Sequence, residues 1–330
     1  MNHEIGLGLQ SNKTASAYQH LAQRAEAHGF DVLTVYHDLR YQPAFYPLLV
    51  MSMATRRVRL GAACYNPYTM APYAIAGQLA ALDDASNGRA YLGLARGTWL
   101  GAIGMEQPRP LTTIREAAAV IRHLLRKDAA AFEGEVFQVA ANTTLRYPVA
   151  RSDHRLLIGT WGRQTAALAG EIADEIKIGG SANPAMVNVM ADYAKAGSLR
   201  AQRDQTEIVM GAVTVVDTDS RAARAKARTE VAMYLAVVAG LDPTVEVPDD
   251  LLSRVRALVD QGQHVAAGEL IPDDVLDLFA FSGDPEQVAA QAAALFEAGA
   301  SRVEFGTPHG LTDQAGIEHL GARVLPALRS

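Results

Sequence analysis

Two short stretches of this sequence combine residue types that can do chemistry. In the first, His37 and Asp38 stand side by side. A histidine titrates near neutral pH and a carboxylate can orient or charge it, so the pair is a candidate for general acid/base catalysis. The two side chains share a site only if the preceding strand has already ended, because neighbours within a strand alternate faces. A structural role therefore stays open beside the catalytic one.

The second stretch is Gly159-Thr160-Trp161-Gly162-Arg163. Its glycines and the first amides of a helix that begins near Arg163 would converge on an anion such as a phosphate, and Arg163 would add positive charge. The same residues also fit a tight turn that needs flexible glycines between a strand and a helix. Residue types alone leave both interpretations open.

Other kinds of site have little support in the sequence. The histidines show no His-x-x-x-His or His-x-His spacing, so we expect no metal site. Gly-x-Ser-x-Gly and P-loop strings are absent, which removes the commonest signals of hydrolases and nucleoside triphosphatases.

The elements that must position these residues are read from the hydrophobic pattern. Short apolar stretches alternate with amphipathic or alanine-rich stretches long enough for helices, which is the pattern of βα units. The strand candidates are residues 5–10, 32–37, 59–65, 90–95, 156–160, 175–179, 208–216 and 302–307. The helix candidates are residues 15–28, 46–54, 73–85, 112–126, 164–172, 184–196, 221–239, 285–298 and 313–328.

This alternation predicts an α/β fold, a (β/α)8 TIM barrel in one domain spanning residues 1–330, with insertions at about 128–154 and 240–284. A doubly wound sheet is the alternative, but no Gly-x-Gly-x-x-Gly follows the first strand. In a barrel the active site lies at the carboxyl ends of the strands. Aromatic side chains and glycines mix at these ends, which suits a large, flat, anionic ligand.

Composition limits the remaining possibilities. Of 330 residues, 49% are hydrophobic and 20% are charged, as in ordinary soluble domains. No stretch approaches the roughly 20 apolar residues of a bilayer span, and the N-terminus lacks a signal-peptide pattern, so we expect a cytoplasmic protein. The net charge of −6 gives no indication of nucleic-acid binding. The single cysteine, Cys64, excludes an internal disulfide.

Several strings, taken in their order and spacing, resemble one known family. They are Arg59-Leu60-Gly61, Asn66-Pro67-Tyr68 with Pro72, Leu82-Asp83, Gly88-Arg89, Leu92-Gly93-Leu94, Phe132 to Phe137, Leu168 to Asp174, and Gly283-Asp284-Pro285-Glu286. With them the chain resembles the bacterial luciferase-like superfamily of flavin- and deazaflavin-dependent barrels. Within it, the chain resembles the branch of methylenetetrahydromethanopterin reductases that use coenzyme F420.

The resemblance implies a homodimeric barrel that binds coenzyme F420, or alternatively FMN, at the strand ends and transfers a hydride to or from a small organic substrate. It implies a non-prolyl cis peptide at Ala63-Cys64 behind the ring and a phosphate turn at Gly159 to Gly162, with Arg163 beside it. Asn66 would bond the polar edge of the ring. Gly97 and Thr98, at the end of the fourth strand, complete the expected cofactor contacts.

One departure from the family concerns the acid/base residues. Many F420-dependent relatives read Asp-His at the end of the second strand, whereas this chain reads His37-Asp38. We expect His37 to be the acid/base group and Asp38 its orienting partner, with the insertion at 240–284 covering the substrate. An FMN-dependent monooxygenase on the same barrel is one rival hypothesis, and a cofactor-free binding subunit is another.

Overall fold

The computed structural model describes residues 3–329 and contains a closed parallel barrel. Its strands are β1 (Glu4–Leu9), β2 (Val32–Val35), β3 (Arg59–Ala62), β4 (Ala90–Ala95), β5 (Phe132–Glu133), β6 (Gln138–Val139), β7 (Leu156–Gly159), β8 (Glu175–Gly179), β9 (Glu207–Val216), β10 (Ala280–Gly283) and β11 (Arg302–Gly310). The barrel runs β1-β2-β3-β4-β7-β8-β9-β11 and closes because β11 pairs with β1. All eight strands match the strand candidates, so the predicted barrel is confirmed.

Helices separate the strands and surround the barrel. They are α1 (Ala15–His28), α2 (Phe45–Ala54), α3 (Pro72–Ser86), α4 (Pro110–Leu125), α5 (Arg163–Ile172), α6 (Pro184–Ala201), α7 (Ser220–Val238), α8 (Asp249–Asp260), α9 (His264–Glu269), α10 (Asp273–Phe279), α11 (Pro285–Glu297), α12 (Asp313–His319) and α13 (Leu325–Arg329). One π-helical turn, Leu320–Val324, joins the last two. No helix in residues 3–329 combines the length and apolar character that a membrane span requires.

Local sequence explains where helices begin and end. Asp284 accepts a hydrogen bond from the amide of Gln287, whose side chain in turn accepts one from the Asp284 amide, which forms a capping box ahead of α11. Pro285 occupies the first helical position, where its missing N–H has no cost. Gly29 ends α1 with φ of 92°, a conformation that glycine adopts without a Cβ clash.

The two predicted insertions have different structures. Residues 128–154 contain the two-stranded hairpin of β5 and β6, and Glu116 of α4 accepts hydrogen bonds from three successive amides of its turn, those of residues 135 to 137. Residues 240–284 contain α8, α9 and α10, but they also contain β10. That strand pairs in parallel with the far end of β9, from Ala280 opposite Val213 onwards, which the sequence pattern did not predict.

The inside of the barrel contains an apolar layer and buried charges. Val32, Tyr91, Leu157 and Val209, from β2, β4, β7 and β9, form the apolar layer. Because alternate residues of each strand point inwards, the positions two residues before and two residues after this layer also face the lumen.

Opposite charges neutralise one another inside the barrel. Arg302, 1% exposed, lies 2.8 Å from Glu175 and 2.9 Å from Glu304, and Glu304 is also paired with Lys177. Burial by itself raises the pKa of Glu304, but Lys177 and Arg302 hold that pKa below its usual value. Each charge therefore has a partner, as buried charges require. Lys177 stands two residues further along β8 than Glu175, so the chain of ion pairs ends on a positive charge on the side nearest the carboxyl ends of the strands.

Candidate functional site

The carboxyl ends of the barrel strands bring the sequence-predicted site residues to one rim. His37 and Asp38 follow β2, and the Ala63–Cys64 peptide follows β3. Gly97 and Thr98 follow β4, while residues 159–163 connect β7 to α5. Because all these strands are parallel and adjacent in the barrel, their ends form one mouth.

The Ala63–Cys64 peptide at this mouth is cis, as the family resemblance implied. Directly after it, Tyr65 forms an isolated parallel bridge with Leu94 of β4. The Cys64 thiol points towards β7, since a Cβ built on Gly159 would lie 2.8 Å from its Sγ. Burial raises the pKa of Cys64 to about 12, so the thiol is neutral and serves as an apolar surface rather than as a nucleophile.

His37 is held in one tautomer by the backbone. The amide of Ala44 donates a hydrogen bond to Nδ1 at 3.3 Å, so Nδ1 is the unprotonated nitrogen and Nε2 carries the proton. The ring meets Tyr65 edge-on, with the centroids 5.1 Å apart. Burial lowers the pKa of His37, although the carboxylate of Asp38 opposes that shift. His37 therefore stays neutral at pH 7 and offers a donor at Nε2, which has no hydrogen-bond partner within residues 3–329.

Asp38 is exposed and has a different partner. Its carboxylate accepts a hydrogen bond from Nε2 of Gln10, at the end of β1, at 3.3 Å. The structure therefore places His37 and Asp38 near each other but gives them separate hydrogen-bond partners. The orientation of the imidazole comes from Ala44, and an orienting role for Asp38 stays a prediction.

Asn66 and Gly97 lie in contact between the third and fourth strand ends. The Oδ1 atom of Asn66 accepts hydrogen bonds from the amide and the hydroxyl of Thr69, both at 2.9 Å. Its Nδ2 lies next to Gly97, whose φ of 89° favours glycine and where a Cβ would lie 3.2 Å from that nitrogen. Gln107 donates to the Gly97 carbonyl at 3.0 Å, while Thr98 is exposed. The Nδ2 amino group of Asn66 is therefore the part of the side chain that is left to contact a ligand.

The turn from β7 to α5 presents the amides of a helix start to solvent. Thr160 accepts a hydrogen bond from the Gly162 amide at 3.0 Å, and Gly162 caps α5 without a side-chain hydrogen bond. The first amide of α5 that bonds within the helix is that of Ala166, which donates to the Gly162 carbonyl at 2.9 Å. The preceding amides, of residues 163 to 165, point out of the helix start, which favours an anion.

The two large side chains of this turn have protein partners. Nε1 of Trp161 donates to the Gly179 carbonyl at 3.1 Å, which ties the turn to the end of β8. The guanidinium of Arg163 lies 5.8 Å from the centre of the Tyr193 ring on α6. Arg163 therefore adds charge near the turn while it stacks on a neighbouring helix. The anion-binding role of residues 159–163 stays a prediction.

Tyr36 is a residue of the mouth that the sequence reasoning missed. It precedes His37 and points into the lumen, where its hydroxyl lies against Gly8 of β1 and Gly306 of β11. Nζ of Lys177 lies 5.5 Å from the centre of its ring. The strand period could have placed Tyr36 inwards, but the two matching glycines are distant in sequence and become neighbours only when the barrel closes.

Comparison with known proteins adds a family and relatives that span the chain. The sequence model of the luciferase-like monooxygenase family matches residues 2–302. A 5,10-methylenetetrahydromethanopterin reductase of Archaeoglobus fulgidus is 29% identical over 326 residues, covering 94% of this chain and 95% of that protein. An F420-dependent glucose-6-phosphate dehydrogenase of Kineococcus radiotolerans is 24% identical over 282 residues, covering 83% of this chain and 79% of that protein.

Among solved structures, the coenzyme F420 dependent tetrahydromethanopterin reductase of Methanopyrus kandleri superposes with a TM-score of 0.86. The two sequences are 24% identical, and the match covers 99% of this chain and 100% of that one. At this identity the likeness establishes a shared fold.

Proposed function

The chain belongs to the luciferase-like monooxygenase family, and on that premise we propose that it is an oxidoreductase that uses coenzyme F420 to transfer a hydride to or from a small organic substrate. The observation that carries this proposal is the near full-length similarity to a methylenetetrahydromethanopterin reductase, 94% of this chain against 95% of that protein. The F420-dependent dehydrogenase among the relatives supports the same cofactor.

The mouth of the barrel fits a flat ring that carries a phosphate. A Cβ atom built on Gly179 would have no heavy atom within 4 Å, so there is open space at the end of β8. The cis Ala63–Cys64 peptide and the neutral thiol, which lies against Gly159 of the neighbouring β7, form an apolar wall. The free amides at the start of α5 provide a place for the phosphate next to that space.

When bound, coenzyme F420 supplies the hydride chemistry, and the protein contributes binding and orientation. In this proposal Asn66 donates from Nδ2 to the polar edge of the ring, while Gly97 and Thr98 border it. Residues 159–163 hold the phosphate through backbone amides. His37 holds a proton at Nε2, because its Nδ1 is occupied by the Ala44 amide.

The insertion at 240–284 is proposed to cover the substrate and to set its identity. Its beginning is tied to the loop after β8, where Nδ2 of Asn183 donates to Asp242 at 2.9 Å and to Thr244 at 2.8 Å. Its end is tied to the same loop, because the Ala182 amide donates to the Leu278 carbonyl at 2.9 Å. Both ends of the insertion therefore lie beside the open space at Gly179.

We also propose that the protein is a cytoplasmic homodimer. Helix α2 contains no charged residue and exposes Tyr46 by 41% and Met53 by 68%, and the adjacent α3 exposes Tyr73 by 69%. An apolar surface of this kind is suited to a second copy of the chain. The single cysteine, which leaves no internal disulfide, supports a reducing compartment.

Titration of the purified protein with F420 and with FMN tests the proposed cofactor. We expect F420 to raise the melting temperature in a saturable way and FMN to have little effect, because only a bound ligand stabilises the folded state. Tight FMN binding without F420 binding would favour the monooxygenase hypothesis. If neither cofactor changed the melting temperature at saturating concentration, the cofactor-free binding subunit would become the leading hypothesis.

A further inference from the structure

Two tyrosines enter the barrel lumen, and glycines on the facing strands make room for both. A Cβ built on Gly61 would lie 2.5 Å from the Tyr91 ring. One built on Gly8 would lie 2.1 Å from the Tyr36 hydroxyl, and one on Gly306 would lie 2.7 Å from that same oxygen. No side chain larger than glycine fits these positions without displacing a tyrosine, so the lumen is shaped around both phenols.

The two hydroxyls differ in their partners. That of Tyr91 lies 2.6 Å from Oγ1 of Thr34 and donates to the Gly61 carbonyl at 3.3 Å. The hydroxyl of Tyr36 has no hydrogen-bond partner within residues 3–329, although it lies against Gly8 and Gly306. This oxygen is not fully buried, so it can bond to a partner that enters from the mouth.

Tyr36 lies on the side of the lumen that opens to the mouth. It stands four residues beyond Val32, which belongs to the same layer as Tyr91, and it is partly exposed. Tyr91 is level with Thr34 in the strand register, so Tyr36 stands nearer than Tyr91 to the carboxyl ends of the strands. The Cys64 thiol and Tyr36 both lie close to Lys177 and Glu304, so the cis peptide and the phenol border the same part of the lumen.

The surroundings keep the Tyr36 phenol protonated. Burial raises the pKa of Tyr36 well above its usual value, and the nearby carboxylate of Glu304 raises it further. Because Glu304 is itself paired with Lys177 and Arg302, it is not free to take the phenolic proton. The phenol therefore keeps its proton at neutral pH and is available as a donor.

We propose that Tyr36 is a further cofactor-binding residue, whose hydroxyl donates a hydrogen bond to an acceptor atom on the deazaflavin ring bound at the mouth. This inference rests on the proposed function, since that function defines the ligand. It adds to the mouth a donor that reaches the ring from inside the lumen, whereas Asn66 reaches the ring from the rim and the α5 amides hold the phosphate.

The test compares Tyr36→Phe with Tyr91→Phe in the full chain, by F420 titration and by melting temperature without ligand. Tyr36→Phe removes a hydroxyl that has no protein partner, so the melting temperature should stay unchanged while F420 binds about three- to tenfold more weakly, as for one lost hydrogen bond. Tyr91→Phe removes a hydroxyl with two protein partners, so the melting temperature should fall and the affinity should stay the same.

Each alternative result has a separate meaning. If wild-type protein fails to bind F420, the proposed function fails and the assignment of Tyr36 fails with it. If wild-type protein binds F420 and Tyr36→Phe binds it equally well, only the assignment of Tyr36 is overturned. A fall in the melting temperature of Tyr36→Phe equal to that of Tyr91→Phe would show that the hydroxyl has a structural role, which also overturns it.

Gly8→Ala provides a second variant that acts on the same hydroxyl. The three atoms nearest to the added methyl group would all belong to the Tyr36 phenol, the nearest at 2.1 Å, so it must displace the hydroxyl. Weaker F420 binding by Gly8→Ala would agree with the proposal, while unchanged binding by a folded Gly8→Ala protein would contradict it.

Discussion

Single residues at the mouth divide into those with free polar atoms and those whose polar atoms are already used. His37 has its Nδ1 occupied by a backbone amide and its Nε2 free, and Asn66 has its Oδ1 occupied and its Nδ2 free. In each residue, the hydrogen bond to one polar atom fixes the direction in which the other polar atom points. In the proposed complex this arrangement would orient a donor towards the cofactor in advance, which would lower the entropic cost of binding.

Gly162→Val tests whether residues 159–163 bind the phosphate of the cofactor, as proposed. Gly162 has φ of −88° and ψ of 133°, which valine adopts readily, and a Cβ there would have only Thr160 Oγ1 nearby, at 3.7 Å. The fold should therefore tolerate the change, while the branched side chain blocks access to the α5 amides. We expect F420 affinity to fall about tenfold or more at an unchanged melting temperature.

Gly240→Val is the matched control for this change, because Gly240 also has open space around its Cβ position but lies in the insertion. It should leave F420 affinity unchanged. If Gly162→Val bound F420 as tightly as Gly240→Val does, residues 159–163 would not hold the phosphate.

Asp83 predicts a pH dependence of stability. The side chain is 1% exposed and accepts hydrogen bonds from Arg151, with His154 at 3.3 Å. Burial raises the pKa of Asp83, but His154 and Arg151 outweigh burial and lower it to about 2, from 3.8 in an unfolded chain. A lowered folded pKa stabilises the protein above pH 3.8, and this contribution disappears as the pH falls towards 2.

Asp83→Asn should therefore lower the free energy of unfolding at pH 7 by about 3 kcal/mol, as for a broken buried pair. Urea unfolding at a series of pH values measures this. The difference from wild type should shrink between about pH 4 and pH 2, where wild-type Asp83 also becomes neutral. Asp84→Asn, at the exposed neighbouring position, should have little effect. A difference that does not depend on pH would contradict the ionic origin of the stabilisation.

At the level of elements, the barrel strands end at the mouth, and the insertion is hydrogen-bonded to the loop that follows β8 there. Helices α7, α8, α9 and α10 share a second apolar cluster, apart from the main one. Trp161 packs against both clusters, so the turn from β7 to α5 is in contact with the insertion as well as with the barrel. Because the insertion has its own apolar cluster, we expect the loss of a contact that anchors it to destabilise the insertion and to leave the barrel folded.

Asp242→Ala tests that anchor. Asp242 is 4% exposed, and it accepts hydrogen bonds from Asn183 and from the amide and hydroxyl of Thr244. Their loss should raise amide hydrogen exchange in residues 240–248 by about tenfold or more, because local opening becomes easier. Asp249→Ala, an exposed residue at the start of α8, is the control. Equal exchange in both variants would show that the Asp242 contacts do not hold the insertion.

At the scale of the whole molecule, the closed barrel leaves the charge-free helix α2 on its outer surface. A stable interface usually buries about 800 Å² per partner, with apolar side chains at its centre. Helix α2 and the adjacent α3 provide such side chains, including Met53 and Tyr73. The proposed homodimer would cover them without obstructing the mouth, because α2 and α3 lie on the outside of the barrel.

Met53→Lys combined with Tyr73→Lys should convert the dimer to a monomer in sedimentation velocity, because burying two unpaired ammonium groups is strongly unfavourable. Leu199→Lys is the control, since Leu199 is equally apolar and 70% exposed but lies on α6. If the double variant is still a dimer, the interface lies on another face of the protein. A wild-type protein that sediments as a monomer would refute the homodimer.

The sequence alone determined the eight barrel strands, the helices between them and the rim on which the candidate residues lie. It did so because period, glycine, proline and capping residues act over a few neighbouring positions. The family resemblance also predicted the family, and the match over residues 2–302 confirms it. The same resemblance implied the cis peptide at Ala63–Cys64, which the structure contains.

Only the tertiary structure decided how the side chains are partnered. Closure of the barrel brings Gly8 and Gly306 against Tyr36, although these residues are far apart in the sequence. It also gives His37 the Ala44 amide as its partner, where the sequence favoured Asp38. Such contacts depend on which strands become neighbours and on where each loop returns, and no local pattern of residues encodes either.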